Sequence, residues 1–292
     1  MREIQVRTPA KVNLTLDVVG KRDDGYHSIE SVFQAVGIYD ALTLTRVDTP
    51  GITLSSTNKY LPCNQKNIAY QAAQLFLKHA HRWDGIHIHI EKHIPSQAGL
   101  GGGSSDGAAV IAALNWLLGC RMSLQEQCEI AAQVGADVPF FLTGGTMHVS
   151  GMGEILEPLP PMPALPMVIA KGKAGVSTPE AYRRIDQLTD PVHPDTARVI
   201  DFLRNGRYWD AIPECGNLFE AATNLEEVTQ IKQIMMDMGA QCALMTGSGS
   251  AVFGIFDTGF MAQKCCNALH AVVPYAVTCK TLKHSIRIVS RS

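Results

Sequence analysis

The chain lacks an excess of charge of either sign. Its 292 residues carry 25 lysines and arginines against 27 acidic residues, a formal net charge of -2. Proteins that bind a nucleic-acid backbone need a basic surface, so nucleic acid is not an expected partner and any phosphate site must be local. No apolar run approaches the roughly 20 residues of a membrane span. Residues 1–6 read as a strand without the apolar stretch of a signal peptide, so no membrane partner is expected either.

Paired cysteine motifs are also missing. There are eight cysteines and none forms a Cys-x-x-Cys pair. Most of them stand among apolar neighbours, as reduced buried cysteines do. We therefore expect free thiols in a reducing cytoplasm and no zinc site.

The composition and the order of elements indicate an α+β protein. Apolar residues make up 46% of the chain and charged residues 18%, enough to fill a core. Strand patterns prevail over residues 1–47, and strands alternate with helices afterwards. Residues 158–166 contain five prolines, which form a stiff connector. We place a domain boundary there, between an N-terminal domain at 1–158 and a C-terminal domain at 159–292.

The most informative segment is the glycine- and serine-rich stretch at residues 94–106, IPSQAGLGGGSSD. It joins a strand pattern to a buried-helix pattern, and a helix that starts after such a loop presents unpaired N–H groups to an anion. The segment lacks the Gly-Lys-Ser/Thr ending of the Walker loop, and its glycine spacing differs from the dinucleotide fingerprint. A mobile linker is the alternative, but linkers have polar flanks. We interpret the stretch as a cradle for nucleotide phosphates.

Two ionisable side chains stand in apolar surroundings. Lys11 and Asn13 lie on the same face of a strand pattern, where they can bind phosphate or substrate oxygens; an edge-strand lysine facing solvent is the alternative. Asp137 stands in the apolar segment at 135–141, where partial desolvation beside a cation suits a catalytic carboxylate. The alternative for Asp137 is an ordinary helix N-cap before Pro139.

A turn at residues 21–27 ends in an aromatic ring and an imidazole. Tyr26 can stack on a base and His27 can hydrogen-bond its edge, although a simple exposed hairpin is equally compatible. Five histidines crowd residues 79–93, but His87 and His89 alternate with isoleucines. They are therefore interpreted as the polar face of a strand rather than as metal ligands.

Together these segments resemble the GHMP kinases, the superfamily of galactose, homoserine, mevalonate and phosphomevalonate kinases. The loop at 95–105 resembles their second motif, and Thr246-Gly247-Ser248-Gly249-Ser250 resembles their third. The resemblance covers nearly the whole chain. It implies a two-domain fold, with an N-terminal domain like a ribosomal-protein domain and a C-terminal ferredoxin-like α/β sandwich.

The resemblance also implies ATP-dependent phosphorylation of the hydroxyl group of a small molecule, with a cytosine-bearing acceptor as the closest match. Asp137 would be the base on that hydroxyl, and Lys11 would position both and offset negative charge. The residues that would wrap the ATP phosphates are Pro95, Ser96, Gln97, Ala98, Gly99, Leu100, Gly101, Gly102, Gly103, Ser104 and Ser105. The residues that would contact the acceptor are Asn13, Tyr26, His27, Lys92, Thr178 and Tyr182.

Further expectations concern the third glycine loop, the metal, the oligomeric state and the competing functions. Gly247, Ser248 and Gly249 would form the third glycine loop. Mg²⁺ is expected with ATP, assisted by Ser104 or Ser105, and the chain is expected to be a cytoplasmic monomer or homodimer. Another small-molecule kinase of the superfamily and a noncatalytic nucleotide- or RNA-binding module are the competing functions; the net charge argues against RNA.

Overall fold

A computed structural model describes residues 2–291, which form two β-sheets covered by helices. The strands are Glu3–Lys21 (β1), His27–Val47 (β2), Gly51–Ser56 (β3), Gly85–Glu91 (β4), Thr146–Ser150 (β5), Ile155–Pro158 (β6), Pro166–Lys171 (β7), Gly216–Asn217 (β8), Cys242–Met245 (β9), Val252–Ile255 (β10), Tyr275–Lys280 (β11) and Arg287–Arg291 (β12). The helices are Ile68–His79 (α1), Gly102–Leu117 (α2), Leu124–Val134 (α3), Val138–Thr143 (α4), Thr178–Ile185 (α5), Thr196–Arg204 (α6), Tyr208–Ala211 (α7), Phe219–Thr223 (α8), Glu226–Asp237 (α9) and Gly259–Leu269 (α10). No helix in the described range is long and apolar enough to cross a membrane.

The larger sheet has eight strands and is built around the long antiparallel pair β1 and β2. Its main order is β12-β1-β2-β4-β3, while β5 and β6 extend from β2 and β8 pairs with β1. The alternating apolar pattern of β4 is confirmed, because Ile86, Ile88 and Ile90 are buried. On the other face of β4, His87 bonds to Ser55 of β3, as expected for a polar strand face.

Four helices, α1 to α4, pack over one face of this sheet, with β4 isoleucines and the alanines of α2 in one core. Helix α3 opens with a capping box: Ser123 accepts from the amide of Glu126, whose carboxylate accepts from the amide of Ser123. Gly135 follows the last residue of α3 as its C-cap. These helices therefore follow from the local sequence.

The smaller sheet has four strands in the order β11-β7-β10-β9. A second core joins apolar residues of β1 and β2 to those of β7, β10 and α6. The proline-rich connector contributes Leu159, Met162 and Leu165 to this core, so it is packed rather than exposed. The α+β class is confirmed. The boundary at 158 and 159 stays a prediction, and β12 from the C-terminal part pairs with β1.

The glycine-rich segment differs from the sequence expectation at its end. Helix α2 begins at Gly102, so Gly102 and the three residues after it form helical structure rather than loop. Gly101 precedes the helix in the left-handed conformation, with φ of 70°. Glycine at position 107 also lets the helix approach α1, because a Cβ there would lie 2.8 Å from Ile68. Tertiary packing thus starts the helix among residues with low helix propensity.

Candidate active site

The start of α2 presents free backbone donors. The first intrahelical bond runs from the amide of Ser105 to the carbonyl of Gly101, at 2.8 Å. The amides of Gly102, Gly103 and Ser104 come before that bond and have no partner within the helix. These amides form the positive end of the helix dipole. This geometry can bind an anion of the size and charge of a phosphate group.

A cavity of about 290 Å³ lies along this helix start. Its wall includes every residue from Ile94 to Ser104, together with Leu61, Ile68 and Lys92. Two side chains of the segment, Ala98 and Leu100, are buried in the core between the sheets. They anchor the loop, so that its glycines and backbone line the cavity.

Two glycines of the loop are required by close contacts. A Cβ on Gly99 would lie 2.0 Å from the carbonyl oxygen of Thr246, and a Cβ on Gly101 would lie 2.6 Å from the Phe141 ring. Both residues also have positive φ, 74° and 70°. Any side chain at either position would therefore displace backbone or a buried ring.

Ser105 does not fit the expected role. It is fully buried, and its hydroxyl donates to the carbonyl of Pro9 and contacts the hydroxyl of Thr8, both at 2.6 Å. Its amide is used by the helix. Since neither group can reach a ligand, the expectation that Ser105 contacts phosphate or metal is wrong. Ser104, on the cavity wall, keeps its hydroxyl available.

Lys11 lies between the cradle and Asp137. It stands in the central part of β1, is only 4% exposed and donates to Asn13 Oδ1 at 2.8 Å. Its Nζ is 3.9 Å from Asp137 Oδ2 and 4.3 Å from the centre of the Phe33 ring. The backbone amide of Lys11 donates to the carbonyl of Leu100 at 3.0 Å. The alternative of a solvent-facing lysine is therefore wrong.

Burial lowers the pKa of Lys11, and the Asp137 carboxylate opposes that effect. In an unfolded chain this lysine regains an ordinary pKa of about 10.4. The unfolded state therefore binds the proton more tightly, and folding becomes more favourable as pH rises toward that value. A buried cation retained at this cost in stability is typical of a functional site.

We expect Lys11→Met to stabilise the fold while abolishing phosphoryl transfer. Methionine has a similar volume and carries no charge that must be desolvated. The gain in thermal midpoint over wild type should be largest near pH 7. It should shrink as pH approaches about 10, because Lys11 of the wild type then takes up little additional proton when the chain unfolds. Thermal denaturation at several pH values measures this. A variant that is less stable at every pH would contradict the expectation.

Asp137 occupies the N-cap position of α4, but its side chain makes no capping hydrogen bond. Its carboxylate is 34% exposed and faces Lys11. The structure therefore does not support the helix-cap alternative. The carboxylate also contributes, after burial, to raising the pKa of Tyr182 to about 12. Asp137 thus lies near both the lysine and a second cavity.

That second cavity, of about 620 Å³, contains most of the predicted acceptor contacts. Tyr26, His27, Thr178 and Tyr182 all line it, with Ala136 beside Asp137. The rings of His27 and Tyr182 stack on each other with centroids 4.8 Å apart. His27 Nε2 contacts Asp186 Oδ1 at 2.7 Å. One face of Tyr182 is therefore occupied by His27, while Tyr26 is 65% exposed and free to stack on a ligand.

Two predicted acceptor contacts lie elsewhere. Asn13 is only 1% exposed, and its amide group bonds to Lys11, Ser31 and the amide of Gly247. Asn13 therefore orients Lys11 and holds the third glycine loop. Lys92 lines the cradle cavity and is ion-paired with Asp40 and Asp106. Neither residue lines the cavity that contains Tyr26.

The third glycine loop supports the first. Gly247 packs against Gly99, since a Cβ on Gly247 would lie 2.9 Å from the Gly99 Cα. Ser248 contacts the hydroxyl of Thr178 at 2.9 Å, which links the loop to the second cavity. Asn217 Nδ2 donates to the carbonyl of Gly247 at 2.9 Å. The backbone N–H of Gly247 is thus held by Asn13 and its carbonyl by Asn217.

Sequence reasoning missed four residues that shape the site. They are Asp40, Asp106, Asp186 and Asn217. Asp106 directly follows the glycine loop, so its position was a usable signal. The others act through partners that are distant along the chain, such as His27 and Asp186, which are 159 residues apart. No local pattern marks such residues.

Comparisons with known proteins agree with this arrangement. The GHMP kinases N terminal domain family matches residues 67–145. A 4-diphosphocytidyl-2-C-methyl-D-erythritol kinase of Listeria monocytogenes is 40% identical over 270 residues, which are 91% of this chain and 92% of the relative. The kinase of the same name from Enterococcus faecalis is 40% identical over 285 residues, 96% of this chain and 100% of the relative.

Solved structures show the same fold. The crystal structure of a 4-(cytidine 5'-diphospho)-2C-methyl-D-erythritol kinase is similar with a TM-score of 0.79 and 33% identity, over 95% of this chain and 99% of that chain. A homoserine kinase from Cytophaga hutchinsonii is similar with a TM-score of 0.78 and 21% identity, over 99% and 98% of the two chains. The second similarity establishes the fold alone.

Proposed function

The chain belongs to the 4-diphosphocytidyl-2-C-methyl-D-erythritol kinases, within the GHMP kinases, and from this membership we propose that its site transfers the γ-phosphoryl group of ATP to the 2-hydroxyl of 4-diphosphocytidyl-2-C-methyl-D-erythritol. The reaction belongs to the non-mevalonate route to isoprenoid precursors. The chain is an enzyme of the phosphotransferase class with an alcohol acceptor. One observation carries the mechanism: the Lys11–Asp137 pair, 3.9 Å apart, adjoins both the phosphate cradle and the cavity with Tyr182.

Asp137 is the proposed general base. The acceptor oxygen forms a bond to the γ-phosphorus, the bond to the β,γ-bridging oxygen breaks, and ADP leaves with that electron pair. The proton of the hydroxyl passes to the Asp137 carboxylate. Lys11 holds this carboxylate and places positive charge where negative charge spreads over the phosphoryl oxygens.

The cradle binds the other phosphates of ATP. Backbone amides at the start of α2 act as fixed donors and need no reorganisation during transfer. The residues proposed to line this site are Pro95 to Ser104, without Ser105. Lys92 also lies on the cavity wall. Its positive charge is already paired with the carboxylates of Asp40 and Asp106.

Mg²⁺ is proposed as the metal that accompanies ATP. It prefers oxygen ligands and usually needs only one or two from the protein besides phosphate oxygens and water. Ser104 offers one such hydroxyl on the cradle wall. Among residues 2–291, no three His, Cys, Asp or Glu side chains are placed together to hold a metal, which fits a metal that binds with its nucleotide. Bound there, Mg²⁺ would neutralise charge on the phosphate oxygens.

The cytidylyl end of the acceptor is proposed to occupy the cavity lined by Tyr26, His27, Thr178 and Tyr182. The exposed Tyr26 ring would stack on the base, and His27 would bond to its edge. We further propose a cytoplasmic enzyme, as its eight free cysteines suit a reducing compartment. It would act on a small molecule, as a monomer or homodimer, without nucleic acid.

We expect Tyr26→Ala to raise KM for the cytidylyl acceptor about tenfold, because stacking on a base contributes roughly 1–3 kcal/mol. KM for ATP should stay unchanged. Trp83→Ala is the matched control, since Trp83 is 89% exposed and lines neither proposed ligand cavity. Steady-state kinetics with each substrate varied in turn measures both effects. An equal KM for the acceptor in the two variants would contradict the proposed base site.

A coupled assay of ADP release tests the substrate. The cytidylyl acceptor is compared with mevalonate, homoserine and galactose at equal concentration. Turnover should be highest with the cytidylyl compound by a wide margin. If another alcohol reacts as well or better, the substrate assignment fails while the kinase class stands.

A further inference from the structure

Three charged side chains lie buried beneath the glycine loop and have no part in the transfer step described above. Asp40 stands on β2, Lys92 follows β4, and Asp106 lies on α2. Their side chains are at most 5% exposed. Removing charges from water costs free energy even when the charges are paired.

Asp40 holds the entry to the loop. Its Oδ1 accepts hydrogen bonds from the amides of His93, at 2.6 Å, and Ile94, at 2.9 Å. Its Oδ2 accepts from Lys92 Nζ. One carboxylate on the long strand β2 therefore orders the three consecutive residues that come before Pro95.

Lys92 joins this entry to the exit of the loop. Its Nζ also donates to Asp106 Oδ2 at 2.8 Å. The ammonium lies beside the first helical residue, since a Cβ on Gly102 would be 3.3 Å from Nζ. Both ends of the loop are thus tied to β2 through one ammonium group, and the free amides at the start of α2 lie between these ties.

Burial and the neighbouring charges act in opposite directions within this cluster. Burial raises the pKa of Asp106 to about 8; Lys92 lowers it and Asp40 raises it. Burial alone lowers the pKa of Lys92, but the carboxylates of Asp106 and Asp40 outweigh burial and raise it. Tyr275 on β11 also senses the Asp40 charge, though burial is the main reason that its pKa is raised.

We propose that Asp40 is a positioning residue for nucleotide binding, which acts through Lys92 and the amides of His93 and Ile94 to hold the glycine loop in its phosphate-binding shape. The inference rests on the proposed nucleotide site and is independent of the identity of the acceptor alcohol. Asp40 touches no substrate. Its effect is on the affinity for ATP and ADP rather than on the chemical step.

The test compares Asp40→Asn with wild type by calorimetric titration with ADP, which needs no acceptor. Affinity for ADP should fall about tenfold, the scale of one lost hydrogen bond to the phosphates. KM for ATP should rise in parallel, while kcat and KM for the acceptor change by less than about twofold. Asp84→Asn is the control, because Asp84 also holds two cations, Arg46 and Arg82, but lines neither ligand cavity.

The outcomes separate the two proposals. If wild type does not bind ADP, the proposed nucleotide site fails. If wild type binds and Asp40→Asn binds equally well, the positioning role fails alone. A purely structural role would reduce the fraction of active enzyme, lowering apparent kcat with KM for ATP unchanged, and that result would also overturn the inference.

A second measurement guards against misfolding. The thermal midpoint of Asp40→Asn is recorded with and without ADP; the variant should unfold cooperatively, and ADP should raise its midpoint by less than it raises that of wild type. A folded variant whose midpoint ADP raises as much as in wild type would overturn the role of Asp40.

Discussion

Asp137→Asn should lower kcat by about 10³-fold, within the range for loss of a general base. Asparagine has nearly the shape of aspartate but cannot accept the proton of the acceptor hydroxyl. It also removes the charge that supports the protonated form of Lys11, whose pKa burial already lowers. KM for ATP should change little, because the cradle is built from backbone amides on α2.

Rapid-quench measurement of the transfer step checks this result directly, since slow product release would otherwise hide part of the loss. The fold should be intact because the carboxylate is one-third exposed and caps no helix. Asp210→Asn serves as the control; Asp210 is exposed and pairs only with nearby Arg207. A transfer rate within tenfold of wild type would exclude Asp137 as the base.

Gly99→Ala should reduce kcat/KM for ATP by about 10²-fold or more, because misplacement by 1 Å has effects on this scale. A Cβ at 2.0 Å from the carbonyl oxygen of Thr246 forces the first glycine loop away from the third. The residue also has φ of 74°, which an alanine adopts at a cost of about 1–2 kcal/mol. Both effects shift the cradle relative to Lys11.

Two control glycines separate these effects. Gly206 has φ of 70° but open space around its Cβ position, so Gly206→Ala reports the conformational cost alone. Gly20 has open space and no positive φ, so Gly20→Ala should be almost neutral. ADP affinity and thermal midpoint are measured for all three. Normal ADP binding by a folded Gly99→Ala variant would show that contact between the two loops does not shape the cradle.

Much of the fold could be predicted because its signals are local. The isoleucines of β4 alternate, Ser123 and Glu126 form a capping box, and the glycine-rich segment joins a strand to a helix. The sequence pattern did not predict that α2 begins at Gly102, because residues 102–105 have poor helix propensity and are held in the helix by contacts with α1 and β1. The short strand β8 and the short helices α7 and α8 carry no periodic pattern long enough to detect.

The candidate site was predicted where a residue's own neighbours indicated its role. Lys11 lies close to both Asp137 and the glycine loop, while the catalytic and binding roles of these groups stay predictions. Ser105 was wrongly included among the phosphate-binding residues because adjacent serines look alike in sequence. In the folded helix, Ser104 lies on the cavity wall and Ser105 lies in the core. Asn13 and Lys92 lie outside the cavity that contains Tyr26, and their side chains bond to groups that are distant along the chain; contact of either with the acceptor stays a prediction.

The order of residues alone determined that a glycine-rich bend leads from a strand into a helix with free amides, because glycine conformation and free helix amides are properties of adjacent residues. Only the tertiary structure decided which polar groups remain available to ligands. Asn13 meets Gly247 across 234 residues of sequence, and Asp40 meets Lys92 across 52. Such partners are set by strand register and by packing between the sheets, and a buried polar group that has found its partner is no longer free to bind anything else.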